Sequence, residues 1–276
     1  MPEGDTITKL ARFLDQALAG RAIRRIELHP RFGRSFGAAG VETVQAHGKH
    51  LYLHLTDGRV LRSHLGLYGS WHRYKCGERW RKPRRQATIR LETDDWDYVC
   101  FNAKHVEWLQ ADGFRLADQR ARLGADLISE PQAPAEALKR ARRLLAPSAP
   151  LVDLLLDQRI AAGIGNVYKS EVLFLESCWP LLPVEALSDD GLTRLFQRAA
   201  DLLAANLGGG PRTTRMARDR RGQLWVYGRR EQSCLRCGKG SIRRALLGKA
   251  PRSTYWCPCC QPVGEGVGDG AGARAR

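Results

Sequence analysis

The sequence has no apolar run close to the ~20 residues that a membrane-spanning helix requires. Charged residues occupy the N-terminal stretch in which a secretory signal peptide would be apolar. The eight cysteines do not form a disulfide framework, because Cys76, Cys100 and Cys178 stand alone and the others crowd the C-terminal region. These absences predict a cytoplasmic protein with reduced cysteines.

Acidic residues are also scarce relative to basic ones. The chain has 45 Lys and Arg against 29 Asp and Glu, which gives a net charge of +16 and a pI of about 9.9. This excess indicates a polyanionic partner such as nucleic acid, with ribosomal or membrane-surface binding as alternatives. Two runs concentrate the charge, with eight basic residues over 73–90 and seven arginines over 212–230, and this concentration favours phosphate contact.

Hydrophobic periodicity divides the 276 residues into segments of different type. A helix pattern starts at about residue 5, with Asp5 or Thr6 as the expected cap. Residues 21 to about 112 alternate as short strands between turn signals, which is typical of a β-sandwich or barrel. A Pro- and Ala-rich stretch over 129–150 predicts a break. Helical patterns follow it over 151–160, 165–177 and 188–207.

Four cysteines near the C-terminus form the strongest single motif. Cys234 and Cys237 are separated by two residues, as are Cys257 and Cys260, and this spacing is typical of zinc ribbons. Four thiolates complete the coordination of zinc and leave no position for water, so the predicted site is structural. A redox pair is the alternative. The segment between the two pairs predicts two strands and a turn that would present Arg252.

The first residues, MPEGDT, place Pro2 and Glu3 at the entrance of the first helix. Removal of Met1 would leave a secondary amine beside a carboxylate. That arrangement is either an ordinary trimmed terminus or a nucleophile with an acid next to it. A chain-terminal amine, with a reference pKa near ~8, is neutral far more often at neutral pH than a lysine with a reference pKa of ~10.4.

Three further motifs carry candidate binding residues. In AAGIGNVYK, glycines permit a tight turn and Asn166 is expected to cap a helix whose N–H groups would face an anion. In AHGKHLYLHL, Lys49 is expected to begin a strand. In SHLGLYGSW, Leu67 and Tyr68 are either core residues or a wedge that unstacks bases.

Together and in this order, these motifs resemble the Fpg/Nei family of DNA glycosylases over residues 1 to about 262. MPEGDT and LGLYGSW are most similar to the endonuclease VIII (Nei) branch, in its actinobacterial second type. The resemblance implies an α+β multidomain fold. Its expected parts are an N-terminal catalytic β-sandwich domain with a leading helix (1–118), a helix-two-turns-helix DNA-binding domain (119–227) and a four-Cys zinc finger (228–262). The Gly-rich composition of the last residues predicts a disordered tail (263–276).

The resemblance implies a bifunctional DNA glycosylase and AP lyase of base excision repair. Such an enzyme excises oxidised bases through a Schiff base at its N-terminal proline and then eliminates the flanking phosphates. Its partner would be damaged double-stranded DNA, its cofactor one structural Zn²⁺, and it would act as a monomer on the nucleoid without a membrane partner. The alternatives are a purine-preferring Fpg-type enzyme and a non-catalytic zinc protein that binds damaged DNA.

The resemblance also implies roles for single residues. Pro2 is the nucleophile, Glu3 the acid, and Lys49 assists β-elimination. Arg252 would contact phosphates and aid the δ step. The other DNA contacts implied are Asn166 and Arg122 on the backbone, with Leu67 and Tyr68 filling the gap left by the flipped nucleotide.

Three departures from the family pattern bear on specificity. Thr6 stands where many members have Glu, and Gly66 stands where endonuclease VIII has a polar residue before the wedge. The segment over 208–225 is short and basic here, whereas the purine-specific branch carries a base-capping loop. This segment favours oxidised pyrimidines as substrates.

Overall fold

The computed structural model describes residues 1–216, 219 and 221–263. The predicted disordered tail lies outside the described residues, except for Val263. The chain forms two compact units, Met1–Arg122 and Leu123–Arg276. Within the described part of the chain, no helix is long and apolar enough to cross a membrane.

The first unit is a β-sandwich with a leading helix, as predicted, and it ends in a second helix. Its helices are α1 (Gly4–Leu18) and α2 (Phe114–Arg122). Its strands are β1 (Ala22–Ile23), β2 (Arg25–Leu28), β3 (Ala39–His47), β4 (His50–Leu55), β5 (Arg59–His64), β6 (Ser70–Lys75), β7 (Ala87–Glu92), β8 (Trp96–Phe101) and β9 (His105–Gln110). They form two antiparallel sheets, in the orders β1-β3-β4-β5-β9 and β2-β7-β8-β6.

Helix α1 contributes its apolar stripe to the core that both sheets share. Ile7, Leu14 and Leu18 are buried at helical spacing in that core. The helix begins at Gly4, and the main-chain carbonyl of Glu3 accepts the N–H groups of Thr6 and Ile7 at 3.0 and 3.1 Å. The prediction that Asp5 or Thr6 caps α1 is therefore wrong, because both residues already lie in the first helical turn.

Each sheet also has an outer face, and each is covered by a different segment. Leu116 of α2 packs with Tyr52, Val60 and Leu109 on the outer face of the five-stranded sheet. On the four-stranded sheet, the outer side chains of β6 and β8 pack against Trp80, which belongs to the β6–β7 connection. That connection is therefore part of the packed structure.

The second unit is helical and ends in a small hairpin, as predicted. Its helices are α3 (Ala133–Leu144), α4 (Leu151–Leu156), α5 (Asn166–Leu175) and α6 (Asp189–Ala205). Its strands are the parallel pair β10 (Ala125–Asp126) and β11 (Ala161–Ala162) and the antiparallel pair β12 (Arg243–Leu247) and β13 (Arg252–Trp256).

Helix α3 occupies the stretch for which the composition predicts a break, so that prediction is wrong. Pro134 lies in the first turn, where a missing N–H costs the helix nothing. Ala133, Ala137 and Ala141 form a fully buried stripe in the core of the second unit. The alanines are thus a packing face rather than linker composition.

Candidate active site

The entrance of α1 holds Pro2 and Glu3. Pro2 is half-buried, and Glu3 is fully buried as the N-cap residue. Met1 precedes Pro2 in the described chain, so the Pro2 nitrogen is an amide there, and amine chemistry at this residue requires removal of Met1.

Lys49 lies in the two-residue turn between β3 and β4, whose ends pair through His47 and His50. It therefore precedes the strand that it was expected to begin. Gly48 has a φ of +56°, which is the left-handed conformation that this tight turn needs. Helix α1 packs against both β3 and β4. The helix that follows Pro2 and the turn that carries Lys49 thus belong to one packed substructure.

Two histidines near Lys49, His50 and His64, have no motif that marks them in the sequence. His50 and His64 are cross-strand neighbours whose ring centroids are 4.9 Å apart. The Nδ1 of His50 accepts the Nε–H of Arg62 at 3.2 Å, and the Nδ1 of His64 accepts the N–H of Gly66 at 3.1 Å. Burial lowers the pKa of His50 to about 2 and that of His64 to about 4. Both imidazoles are therefore neutral at neutral pH.

Leu67 and Tyr68 project from the β5–β6 loop into solvent. Their exposed fractions are 57% and 79%, so neither is a core residue. The loop beneath them is tightly closed, because the N–H of Gly69 donates to the carbonyl of Leu65 at 3.1 Å. A Cβ on Gly69 would lie 2.4 Å from that oxygen, so only glycine fits there. The loop holds two apolar side chains outward, as a wedge requires.

In the second unit, Asn166 is the first residue of α5 rather than its cap. Gly165 occupies the N-cap position in an extended conformation, so the prediction that Asn166 caps the helix is wrong. Gly163 has a φ of +113° and makes the turn that precedes it. The N-terminal N–H groups of α5 nevertheless follow a Gly-rich turn, as the sequence predicts.

A buried lysine links Asn166 to the hairpin. Lys169 is fully buried, and its Nζ donates to the Thr254 Oγ1 at 2.8 Å, to the Ser253 carbonyl at 3.2 Å and to the Asn166 Oδ1 at 3.4 Å. Arg252, at the start of the same strand, is exposed. The structure thus brings two of the predicted phosphate contacts, Asn166 and Arg252, to neighbouring elements.

Arg122 ends α2 and belongs to the first unit. Its Nε lies 3.0 Å from the carboxylate of Asp118, one turn earlier, and its side chain is 76% exposed. Such a surface pair contributes little to stability. The guanidinium therefore stays accessible to a phosphate.

Glu171 organises the segment that follows α6. Its fully buried carboxylate accepts the main-chain N–H groups of Trp225, Val226 and Tyr227 at 2.8, 2.9 and 2.8 Å. It also accepts the hydroxyl of Thr214. One carboxylate thereby forms hydrogen bonds to two separate parts of the second basic run, at Thr214 and at 225–227. Sequence patterns give no signal for this role, because the partners lie 43 to 56 residues away.

The four motif cysteines converge in the second unit. Their sulfur atoms all lie within 4.8 Å of one another, with the Cys234–Cys260 and Cys237–Cys257 pairs at 3.8 Å. Sulfurs around a tetrahedral ion with bonds of ~2.3 Å lie about 3.8 Å apart. The cluster therefore has the dimensions of a four-thiolate metal site and can hold a metal ion.

The backbone around this cluster supports the same conclusion. The N–H groups of Gly240 and Lys239 lower the pKa of Cys237 to about 6, which favours its thiolate, whereas burial raises the pKa values of Cys257 and Cys260. A Cβ on Gly240 would lie 2.7 Å from the Cys257 sulfur, so the fold reserves this space for the sulfur. Cys259 is exposed and is not among the four clustered residues.

Known families match both units. Residues 1–120 match the formamidopyrimidine-DNA glycosylase N-terminal domain, and residues 123–217 match the formamidopyrimidine-DNA glycosylase H2TH domain. Among solved structures, the Lactococcus lactis formamidopyrimidine DNA glycosylase bound to DNA with an AP site has a TM-score of 0.79 at 22% identity. That match covers 95% of this chain and 100% of the other, and it establishes a common fold.

Relatives found by sequence share a higher identity with this chain than that solved structure does. A probable endonuclease 8 2 of Streptomyces coelicolor is 41% identical, over 95% of this chain and 94% of the relative. A DNA-(apurinic or apyrimidinic site) lyase Nei2 of Mycolicibacterium smegmatis is 37% identical, over 95% of this chain and 99% of the relative. With two family domains and full-length relatives at this identity, the chain belongs to the Fpg/Nei family.

Proposed function

We propose that the protein is a bifunctional DNA glycosylase and AP lyase that removes oxidised bases from double-stranded DNA in base excision repair. The observation that carries the proposal is the entrance of α1, where Pro2 directly precedes a fully buried carboxyl group in a member of this family. Relatives named endonuclease 8 and AP lyase support it. The protein acts as a monomer on chromosomal DNA, and therefore at the nucleoid in the cytoplasm.

The proposed reaction starts at the free amine of Pro2 after Met1 has been removed. The amine lone pair forms a bond to the sugar C1′ as the bond from C1′ to the damaged base breaks, and the base leaves with the proton that the attacking nitrogen gives up. Glu3 then delivers a proton to the ring oxygen as the C1′–O4′ bond opens. The nitrogen lone pair forms the double bond to C1′ in the same step, which makes the iminium. Because the amine is secondary, this iminium has no N–H to lose and stays an electron sink.

The iminium then permits elimination of the flanking phosphates. Loss of a C2′ proton, assisted by Lys49, expels the 3′ phosphate, and a second elimination, aided by Arg252, expels the 5′ phosphate. Asn166 and Arg122 bind the DNA backbone. Leu67 and Tyr68 enter the space that the flipped nucleotide leaves.

The metal ion that we propose for the four-cysteine cluster is one Zn²⁺. Bound zinc supplies folding energy to a module too small for a core of its own. Cys234, Cys237, Cys257 and Cys260 would hold it. These cysteines would take no part in the reaction itself. The hairpin between the two Cys pairs would hold Arg252 towards the DNA.

We propose oxidised pyrimidines as preferred substrates. The segment over 208–225 is short. At its C-terminal end, the main-chain N–H groups of Trp225 and Val226 donate to Glu171 of α5. Duplexes that carry 5-hydroxyuracil or 8-oxoguanine, compared under single-turnover conditions, test this preference. Faster excision of 8-oxoguanine would instead favour the purine-preferring alternative.

Borohydride trapping tests the central proposal. The wild-type protein without Met1 should form a covalent adduct with lesion DNA, whereas Pro2→Gly and a chain with extra residues before Pro2 should not. Mass spectrometry confirms the state of each terminus. Trapping that persists in both altered chains would exclude Pro2 as the nucleophile. Tight lesion binding without trapping or nicking by the wild type would indicate a non-catalytic damage-binding protein.

A further inference from the structure

The first basic run has two kinds of member. Arg73 stacks over Trp96 at 4.2 Å, and Arg90 pairs with Asp97 at 2.9 Å, so both serve the fold. The stretch over 79–85, here named the basic ribbon, differs. Among the described residues, no carboxylate forms an ion pair with its five cations, which are Arg79, Arg81, Lys82, Arg84 and Arg85.

The basic ribbon is ordered by an aromatic platform. Trp80 stacks on Tyr74 with centroids 6.2 Å apart and meets Phe101 edge-on at 5.8 Å. Arg84 lies over the Trp80 ring at 4.8 Å, and the N–H of Arg81 donates to the Tyr74 hydroxyl at 3.2 Å. A concavity of about 540 Å³ opens between residues 77 and 84. Because folding already orders this segment, a ligand would meet its cations without a large entropic cost.

The C-terminal half of the ribbon lies beside the wedge loop. The Lys82 Nζ donates to the Ser70 Oγ at 2.8 Å, and Ser70 directly follows that loop. Ser70 and Ala87 both pair with Phe101, so the start of β6 and the start of β7, two residues after the ribbon, lie at the same end of the four-stranded sheet. The exposed wedge and the unpaired cations are therefore neighbours within one unit.

The second basic run provides a contrast. There the guanidinium of Arg215 pairs with the carboxylate of Asp219, and Arg221 pairs with the same carboxylate at 2.8 Å. In the first run, the one acidic residue, Glu78, accepts the main-chain N–H of Lys75 at 2.9 Å. Acidic side chains therefore neutralise part of the second basic run. The basic ribbon has no such partner among the described residues and keeps its full positive charge.

We propose that the basic ribbon binds phosphates of duplex DNA beside the base step that Leu67 and Tyr68 enter. The inference rests on the proposed function, because the wedge fixes where the duplex lies against this end of the sheet. Each phosphate that a cation neutralises releases counterions, so binding weakens with salt by a slope of about −0.9 per contact. The ribbon adds affinity for undamaged flanking DNA and carries no sequence preference.

Arg81 and Arg85 are the positions to change, because both are exposed and neither side chain supports Trp80. Arg81→Gln/Arg85→Gln is compared with Arg12→Gln/Arg21→Gln, which removes two exposed charges elsewhere on the same unit. Full-length proteins bind an undamaged duplex and one with a central abasic analogue over a range of salt concentrations. In the ribbon variant, the slope of log K against log salt should become smaller in magnitude by about 1.8. The control should keep the wild-type slope.

Two results would overturn the proposal that the basic ribbon binds DNA. One is an unchanged slope in the ribbon variant, and the other is an equal change in both variants, which would reflect net charge alone. Borohydride trapping at saturating DNA and low salt is measured on the same proteins, and the ribbon variant should still trap. Absence of trapping by the wild type counts against the proposed function. The comparison of salt slopes alone decides whether the basic ribbon binds phosphates.

Discussion

The Nζ of Lys169 lies 2.8 Å from the Thr254 Oγ1, so a cation buried in α5 is bonded to the strand that starts with Arg252. The same Nζ reaches the Oδ1 of Asn166 at 3.4 Å. A buried charge is tolerated only when its donors are satisfied. Lys169 therefore couples the start of α5 to the hairpin, and both carry residues that we propose as phosphate contacts.

Lys169→Met should weaken this coupling. The methionine keeps most of the apolar volume but removes the donor to the Ser253 carbonyl and to the Thr254 Oγ1, whose hydroxyl keeps its own bond to the Arg252 carbonyl. A buried acceptor that loses its donor costs about 1–3 kcal/mol, so the free energy of unfolding of the full-length protein should fall by about that amount. Denaturant titration measures it. Lys139→Met, on the exposed side of α3, should leave it unchanged. Equal stability of the two variants would contradict the coupling.

Glu171→Gln should loosen the segment that ends at Tyr227. A neutral amide offers one acceptor oxygen where the carboxylate offers two, so it cannot serve three N–H groups and the Thr214 hydroxyl. Hydrogen exchange at Trp225, Val226 and Tyr227 should become faster by about one to two orders of magnitude, as the loss of about 1–3 kcal/mol requires. Glu185→Gln, at an exposed position, is the matched control, and equal protection in both variants would refute the role of Glu171.

Metal removal should unfold the C-terminal module, which contains the four clustered cysteines and the β12–β13 hairpin. Without an ion, four thiol groups held within 4.8 Å cannot be thiolates together, so the module loses the binding energy that folds it. A chelator should abolish protection of the hairpin in hydrogen exchange and lower DNA trapping, while the first unit stays folded. Cys257→Ser should reproduce this result, and Cys259→Ser should not. Retained metal in Cys257→Ser, or equal loss in both, would contradict the assigned ligand set.

Stability should fall in mild acid because of His50 and His64. Their folded-state pKa values lie below the unfolded value of ~6.5. The unfolded chain therefore binds their protons first, and the stabilisation present above pH ~6.5 is lost as the pH falls towards about 4. Protonation at Nδ1 would also break the bonds from Arg62 and Gly66.

Denaturant titrations of the DNA-free protein between pH ~6.5 and ~5 measure this loss, in a window above most carboxylate titration. His50→Asn/His64→Asn should flatten the pH dependence, because an amide oxygen can accept the same N–H bonds without titrating. His29→Asn is the control and should keep the wild-type slope. An unaltered slope in the double variant would exclude the two histidines as its cause.

Local patterns predicted much of the fold and part of the site. The strand β4 was predicted at its observed bounds, 50–55, because leucines at 51, 53 and 55 recur with the two-residue period of a strand. The two Cys pairs predicted the cluster from spacing alone. The β12–β13 hairpin followed from the turn signals between them. Each of these features depends on residues that are close in sequence.

Predictions failed where packing overrides local preference. The stretch with α3 was mistaken for a break, because its alanines differ from linker alanines only in being buried. Asn166 was expected to cap α5, but Gly165 takes that position. Whether Leu67 and Tyr68 belong to the core or the surface was also undecided until the loop geometry placed them in solvent.

The sequence by itself determined a β domain of sandwich or barrel type, a helical unit and the four-cysteine motif, since periodicity and spacing encode each of them locally. The combined motifs indicated the family, and with it the sandwich, by resemblance. Only the tertiary structure decided which charged groups are committed to the fold. Lys169 and Glu171 bond to partners far along the chain, and Arg215 is neutralised by Asp219, whereas the cations of the basic ribbon lack an acidic partner among the described residues. The reason is that a charge's effect depends on its neighbours in space, and a sequence pattern records only its neighbours in the chain.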